Sequence, residues 1–139
     1  MSESNSDGLS LHLQGAQAIR QAVDAARGFG TRHRLIGGQL TRLCIVVEEL
    51  VANLYDHGGV TEQDVVDLAM ALDPRGIRVA ITDPGIPFDP WSVASTSERI
   101  ERGGGAGLSL IRTWAEPISY RSTAIGNHLE LMLPVSWPD

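Results

Sequence analysis

The chain has 139 residues, a net charge of −6, 42% hydrophobic and 20% charged residues, which suits one domain with its own core and excludes a disordered or fibrous chain. Its eleven basic residues are all arginine, spread among seventeen acids, so the concentrated basic face of a nucleic-acid binder is not expected. Residues 1–8 read as a flexible polar tail without a secretory signal, and no apolar run approaches the ~20 residues of a membrane span. Cys44 is alone, which leaves no intramolecular disulfide. A single domain over residues 9–139 and a cytoplasmic location are the resulting expectations.

Leu9, Leu11 and Leu13 alternate with polar residues, as in a short half-buried strand. An alanine-rich helix is expected over residues 16–27, closed by Gly28 and Gly30. Residues 38–57 contain no proline, and Leu40, Leu43, Cys44, Val47, Val51 and Leu54 recur at helical spacing. Two antiparallel strands follow, over residues 65–72 and 77–82, joined by the turn Asp73-Pro74-Arg75-Gly76. Residues 83–107 are rich in Pro, Gly and Ser and too long for an ordinary connection, which marks a functional loop. Helical spacing resumes at Leu108, Ile111 and Ala115 and is stopped by Pro117. Two final strands, over residues 118–122 and 128–135, flank the turn signal Ile125-Gly126-Asn127. Paired strands with helices grouped between them predict an α+β fold, a two-layer sandwich with one sheet face covered by helices.

Three segments carry residues suited to chemistry. On the long helix, Glu49, Asn53 and His57 lie one above another, about 6 Å apart along the axis. A carboxylate and a carboxamide one turn apart offer two oxygens to a hard cation such as Mg²⁺, or one ligand and one base; such pairs also occur on plain exposed helices. His57 equally suits a helix end, where it satisfies the last carbonyls. In the second segment, Asp83 leaves a strand into Asp83-Pro84-Gly85-Ile86-Pro87-Phe88-Asp89-Pro90. There a carboxylate can accept a hydrogen bond from an exocyclic amine such as that of adenine, or cap its own loop in an Asx-turn. The third segment sets Gly103, Gly104, Gly105 and Gly107 before an apolar helix. Backbone N–H groups of such a turn and the positive end of the helix suit phosphate; a flexible hinge has the same composition. Walker A is excluded because no lysine exists, and the dinucleotide fingerprint fails at Leu108.

In type, order and spacing these motifs resemble the GHKL (histidine-kinase-like) ATPase superfamily over almost the whole chain. They are most similar to its small single-domain branch, the anti-sigma-factor serine/threonine protein kinases of bacterial partner-switching systems. Glu49-Leu50-Val51-Ala52-Asn53 resembles the N-box, residues 83–90 the first glycine box and residues 103–111 the second. The resemblance implies a Bergerat-type sandwich, a mixed and mostly antiparallel sheet under about three helices, binding ATP with Mg²⁺. It implies Glu49 as general base, Asn53 as Mg²⁺ ligand, Asp83 as the adenine-binding carboxylate with Gly85 making room, Gly103, Gly104, Gly105 and Gly107 around the phosphates, and residues 91–102 as a short ATP lid. No segment with a phosphoacceptor histidine precedes the domain, so a complete sensor histidine kinase is not expected.

Three positions depart from the family pattern, one of them Pro84 after the aspartate. Asp56 stands where many relatives have a basic residue, and Glu130 is the nearest match to a last-strand threonine that supports the adenine aspartate. The implied activity is phosphorylation of a Ser or Thr on an anti-sigma-factor antagonist, with a sigma factor or another regulator as second partner. The alternative is a non-catalytic nucleotide-binding switch. Neither nucleic acid nor membrane is an expected partner, and homodimers are common among the proteins it resembles.

Overall fold

The computed structural model describes residues 8–92 and 106–137. In chain order the elements are β1 (Gly8–Gln14), α1 (Ala18–Arg32), α2 (Gly37–Asp56), β2 (Val65–Asp73), β3 (Gly76–Asp83), α3 (Ala106–Trp114), β4 (Glu116–Thr123) and β5 (Gly126–Pro134). The strands form one sheet in the order β1-β2-β3-β5-β4. Every pairing is antiparallel, so the mostly antiparallel sheet expected is wholly so among the described residues. Helices cover one face, which makes the α+β sandwich the alternation of the strands predicts.

Alternate residues of the strands supply the covered face. Leu13, Val66, Leu68, Met70, Ile77, Val79, Ile81, Leu129, Leu131 and Leu133 are buried there with Ala22, Phe29, Leu43, Val47, Leu50, Leu108 and Ile111 of the helices. The other face carries polar pairs: His12 with Asp67, Arg78 with Glu130, and Thr82 with His128. Period-two alternation thus decides which residues of each strand the helices meet.

One helix end differs from the sequence expectation for a packing reason. Helix α1 runs through Gly28 and Gly30 to Arg32. At Gly30 a Cβ would lie 2.7 Å from Leu40 and 3.3 Å from Leu43, so this glycine lets α1 and α2 approach and does not cap the helix. Helix α3 ends at Trp114, ahead of Pro117 as expected, and Pro117 itself lies inside β4. Its strand is at the sheet edge, where a missing N–H costs no ladder bond, and the register is irregular between Pro117 and Ser119. On α2 the buried sector is wider than the six-residue stripe, because Val46, Leu50 and Asn53 are buried too.

Candidate functional site

Helix α2 sends three successive turns into different surroundings. Glu49 is half-buried, and its carboxyl is held above the ordinary range by burial, then by the neighbouring charges of Glu48 and Asp56. Asn53, one turn on, is only 8% exposed. Its Nδ2 is buried without a hydrogen-bond partner among the described residues, an arrangement that costs stability unless something outside the protein engages the amide. His57 stacks on Phe88, with ring centroids 5.7 Å apart and planes inclined by 19°. His57 therefore braces the loop after β3.

That loop is built around Asp83, which is 5% exposed. Burial raises its carboxyl above the ordinary range, against two hydrogen bonds that favour the ionised form. Both bonds fall on Oδ2: Gly85 N–H donates at 2.8 Å and Asn127 Nδ2 at 3.1 Å. Among the described residues Oδ1 keeps its accepting capacity. The Asx-turn and the free acceptor therefore coexist on one side chain. The backbone of Gly85 lies so close to the turn after α2 that a Cβ would clash with the Gly58 carbonyl oxygen, and Ile86 N–H donates to that oxygen at 2.8 Å. Further along, Phe88 N–H donates to the Tyr120 hydroxyl and Arg112 Nε–H to the Pro90 carbonyl. The loop is thereby tied to the turn after α2, to β4 and to α3.

Asn127 is the site residue that the sequence did not single out, and Glu130 is corrected with it. In the β3–β5 register Asp83 faces Asn127, whereas Glu130 faces Ala80 and pairs with Arg78 on the open sheet face. Asn127 is 3% exposed; its Nδ2 also reaches the carbonyls of Gly85 at 2.9 Å and Ile86 at 3.2 Å. Ser122 Oγ donates to its Oδ1 at 2.7 Å. Gly126-Asn127 reads as a turn from sequence, but both residues already belong to β5. Counting back from the turn to Asp83 is the signal that would have found it.

At the other end, Gly107 stands in the first turn of α3, and a Cβ there would lie 1.9 Å from Glu49 Oε1. A side chain at this position would push the end of Glu49 aside. Gly103, Gly104 and Gly105 lie outside the described residues, as does the lid segment beyond Ser92. Trp91 and Ser92 are turned by Asp89, whose Oδ1 and carbonyl accept their respective N–H groups, each at 3.0 Å.

The donor set suits Mg²⁺ carried by a polyphosphate. Among the described residues no three His, Cys, Asp or Glu side chains converge as a metal cage. Mg²⁺ characteristically takes one or two protein oxygens and completes its shell with phosphates and water; Asn53 offers its Oδ1 as one such oxygen, while its unpartnered Nδ2, a donor, suits a phosphate oxygen. Between Leu43 and Pro74 the chain has seven acids and no arginine, so phosphate charge at this helix would need a cation. The residues fit both the metal and the nucleotide.

The family of the histidine kinase-like ATPase domain matches residues 14–133. Among solved structures the chain is similar to the histidine kinase domain from Erythrobacter litoralis EL346 blue-light activated histidine kinase, at 18% identity and a TM-score of 0.50. The match covers 84% of this chain and 59% of that one, a likeness of fold. No curated protein matches the sequence. Among the described residues no helix is long and apolar enough to cross a membrane.

Proposed function

We propose, from the premise that this chain belongs to the histidine kinase-like ATPase family, that it is a Mg-ATP-dependent serine/threonine protein kinase acting on an anti-sigma-factor antagonist. ATP binding is the property of the family as a whole. The finer reading is supported chiefly by one observation: the Glu49 carboxylate, kept basic by burial and by Glu48 and Asp56, lies against Gly107 at the start of α3. A base next to a phosphate-binding turn suits the activation of a hydroxyl for attack on a phosphoryl group.

In this reading Asp83 Oδ1 accepts the exocyclic amine of adenine while Gly85 keeps the loop low enough to admit the base. Asn53 supplies one oxygen to Mg²⁺, and Gly103, Gly104, Gly105 and Gly107 offer backbone N–H groups to the phosphates. Magnesium, when bound, neutralises charge on the transferring phosphoryl group. Glu49 takes the proton of the acceptor Ser or Thr hydroxyl as its oxygen attacks. Phosphorylation of the antagonist then leaves the kinase free to hold a sigma factor or another regulator.

Incubation with labelled ATP and an anti-sigma-factor antagonist domain that carries a Ser or Thr acceptor tests the reading. Label transfer by the wild type, abolished by Glu49→Gln, is expected. No transfer, or transfer indifferent to that substitution, overturns it. Asp56, acidic where a basic residue would assist phosphate binding, favours one rival, a nucleotide-holding switch without catalysis. For that rival ATP raises the melting temperature and product never forms.

A further inference from the structure

The hydrogen bonds around Asn127 connect the deepest part of the base site to the protein surface. Ser122 is exposed, near the end of the edge strand β4, and pairs with Asn127 in register. Its Oγ donates to Asn127 Oδ1 at 2.7 Å. The opposite end of the amide serves three acceptors, Asp83 Oδ2, Gly85 O and Ile86 O. Amide orientation is ordinarily ambiguous, but here the three acceptors on the nitrogen side determine it, and the Ser122 hydroxyl, able to donate or accept, is thereby left to donate to the oxygen. Turning the amide over would aim Oδ1 at a carboxylate and two carbonyls. The Ser122 hydroxyl proton is therefore part of what holds Asp83 and the loop in place.

We propose that Ser122 is a regulatory phosphorylation site that acts through Asn127 to switch nucleotide binding off. The inference rests on the nucleotide reading of the Asp83 site. In the modification step a protein kinase uses ATP: the Ser122 Oγ–P bond forms, the bond from the γ-phosphorus to the β–γ bridging oxygen breaks, the hydroxyl proton passes to that kinase's base, and ADP leaves. The donor on Asn127 Oδ1 is then replaced by phosphate oxygens, which accept and carry negative charge. Asn127 must withdraw its oxygen or turn over, and either movement removes the Nδ2 donor from Asp83 and releases the carbonyls of Gly85 and Ile86. Access favours Ser122, since Arg121 and Thr123 on either side are exposed as well and β5 is the only strand paired with β4 among the described residues. The neighbouring hydroxyl, Thr123 Oγ1, bonds the Gly126 carbonyl within the turn and has no link to Asp83.

The full chain carrying phosphoserine at position 122, installed by suppression of a stop codon, provides the test. ATP affinity is expected to fall about tenfold or more, against about threefold for Ser122→Ala, through charge repulsion added to a lost bond. Phosphoserine at the exposed position 136 is the control and is expected to change nothing. In an Asn127→Leu background the phosphoserine effect at 122 is expected to disappear. A second readout needs no nucleotide: the NMR resonances of the Gly85 backbone amide and the Asn127 side-chain amide are expected to move on modification. Unmodified protein that fails to bind ATP while these resonances move overturns the nucleotide reading and keeps the Ser122–Asn127 coupling. Resonances that stay in place, unchanged ATP affinity, or an effect that survives in the Asn127→Leu background overturns the switch.

Discussion

The two ends of the site are built on opposite principles. At the Asp83 end, one carboxylate oxygen, an asparagine amide, a serine hydroxyl and two carbonyls satisfy one another in a buried cluster. Around Glu49 and Asn53, a buried amide nitrogen has no partner among the described residues, a half-buried carboxyl is crowded by other acids, and Gly107 of α3 comes up against that carboxyl. The first is preorganised and recognises by fixed geometry. The second is incomplete: an orphan N–H donor beside crowded carboxylates suits a phosphate oxygen together with a cation that would offset the acids. Nucleotide selectivity should therefore reside in the rigid end, and turnover and metal dependence in the unfinished one.

The comparison breaks most visibly if Glu49→Gln leaves phosphoryl transfer intact. Loss of a general base costs about 10²–10⁴-fold in rate, and single-turnover assays should show that loss with ATP affinity nearly unchanged. Asp83→Asn should do the reverse: its amide oxygen can take over the bonds from Gly85 and Asn127 while presenting donors to the adenine amine. Affinity measured by calorimetry should fall about 100-fold, the equivalent of one charge-assisted hydrogen bond of about 3 kcal/mol.

The two glycines sharpen the contrast. In Gly85→Ala the new Cβ meets the backbone oxygen of Gly58, which cannot rotate aside, so a stability loss of about 1–3 kcal/mol is expected in urea unfolding. Gly107→Ala meets the end of a flexible glutamate. That substitution should leave stability within about 1 kcal/mol yet slow transfer by about 10²-fold, through displacement of the base. Asn53→Leu should stabilise the nucleotide-free protein by about 1 kcal/mol, since an unpartnered buried amide is removed, and weaken Mg-ATP binding. The smallest effect concerns pH. Glu49 acts ionised, so transfer should fall as pH drops through its raised pKa; Asp56→Asn removes a charge that raises it and should move this acid limb to lower pH.

What the sequence made legible follows from which distances are local. Glu49 and Asn53 are four residues apart on one helix, so their shared side follows from helix geometry alone. The strands were readable because their residues alternate, and the turn at Pro74 and Arg75 is set by its own composition. Asn127 was hidden because it meets Asp83 only through the β3–β5 register, and a slip of three residues in that count points to Glu130 instead. Gly30 was misread for a similar reason: a helix-ending glycine and a helix-packing glycine look alike until Leu40 and Leu43 arrive from α2. Half-buried tryptophans illustrate the same limit, since Trp137 is anchored by its Nε1–H on the Asp73 carbonyl and Trp114 lies beneath Arg42.

Calorimetric titration of the protein with ATP, in the presence and absence of Mg²⁺ and with GTP as competitor, tests the division between the two ends most directly. The account predicts that ATP binds, that removal of Mg²⁺ weakens it about tenfold or more, that GTP fails to compete, and that Asp83→Asn alone removes the preference for ATP over GTP. Equal affinity with and without Mg²⁺, or a preference for ATP that survives Asp83→Asn, would contradict it.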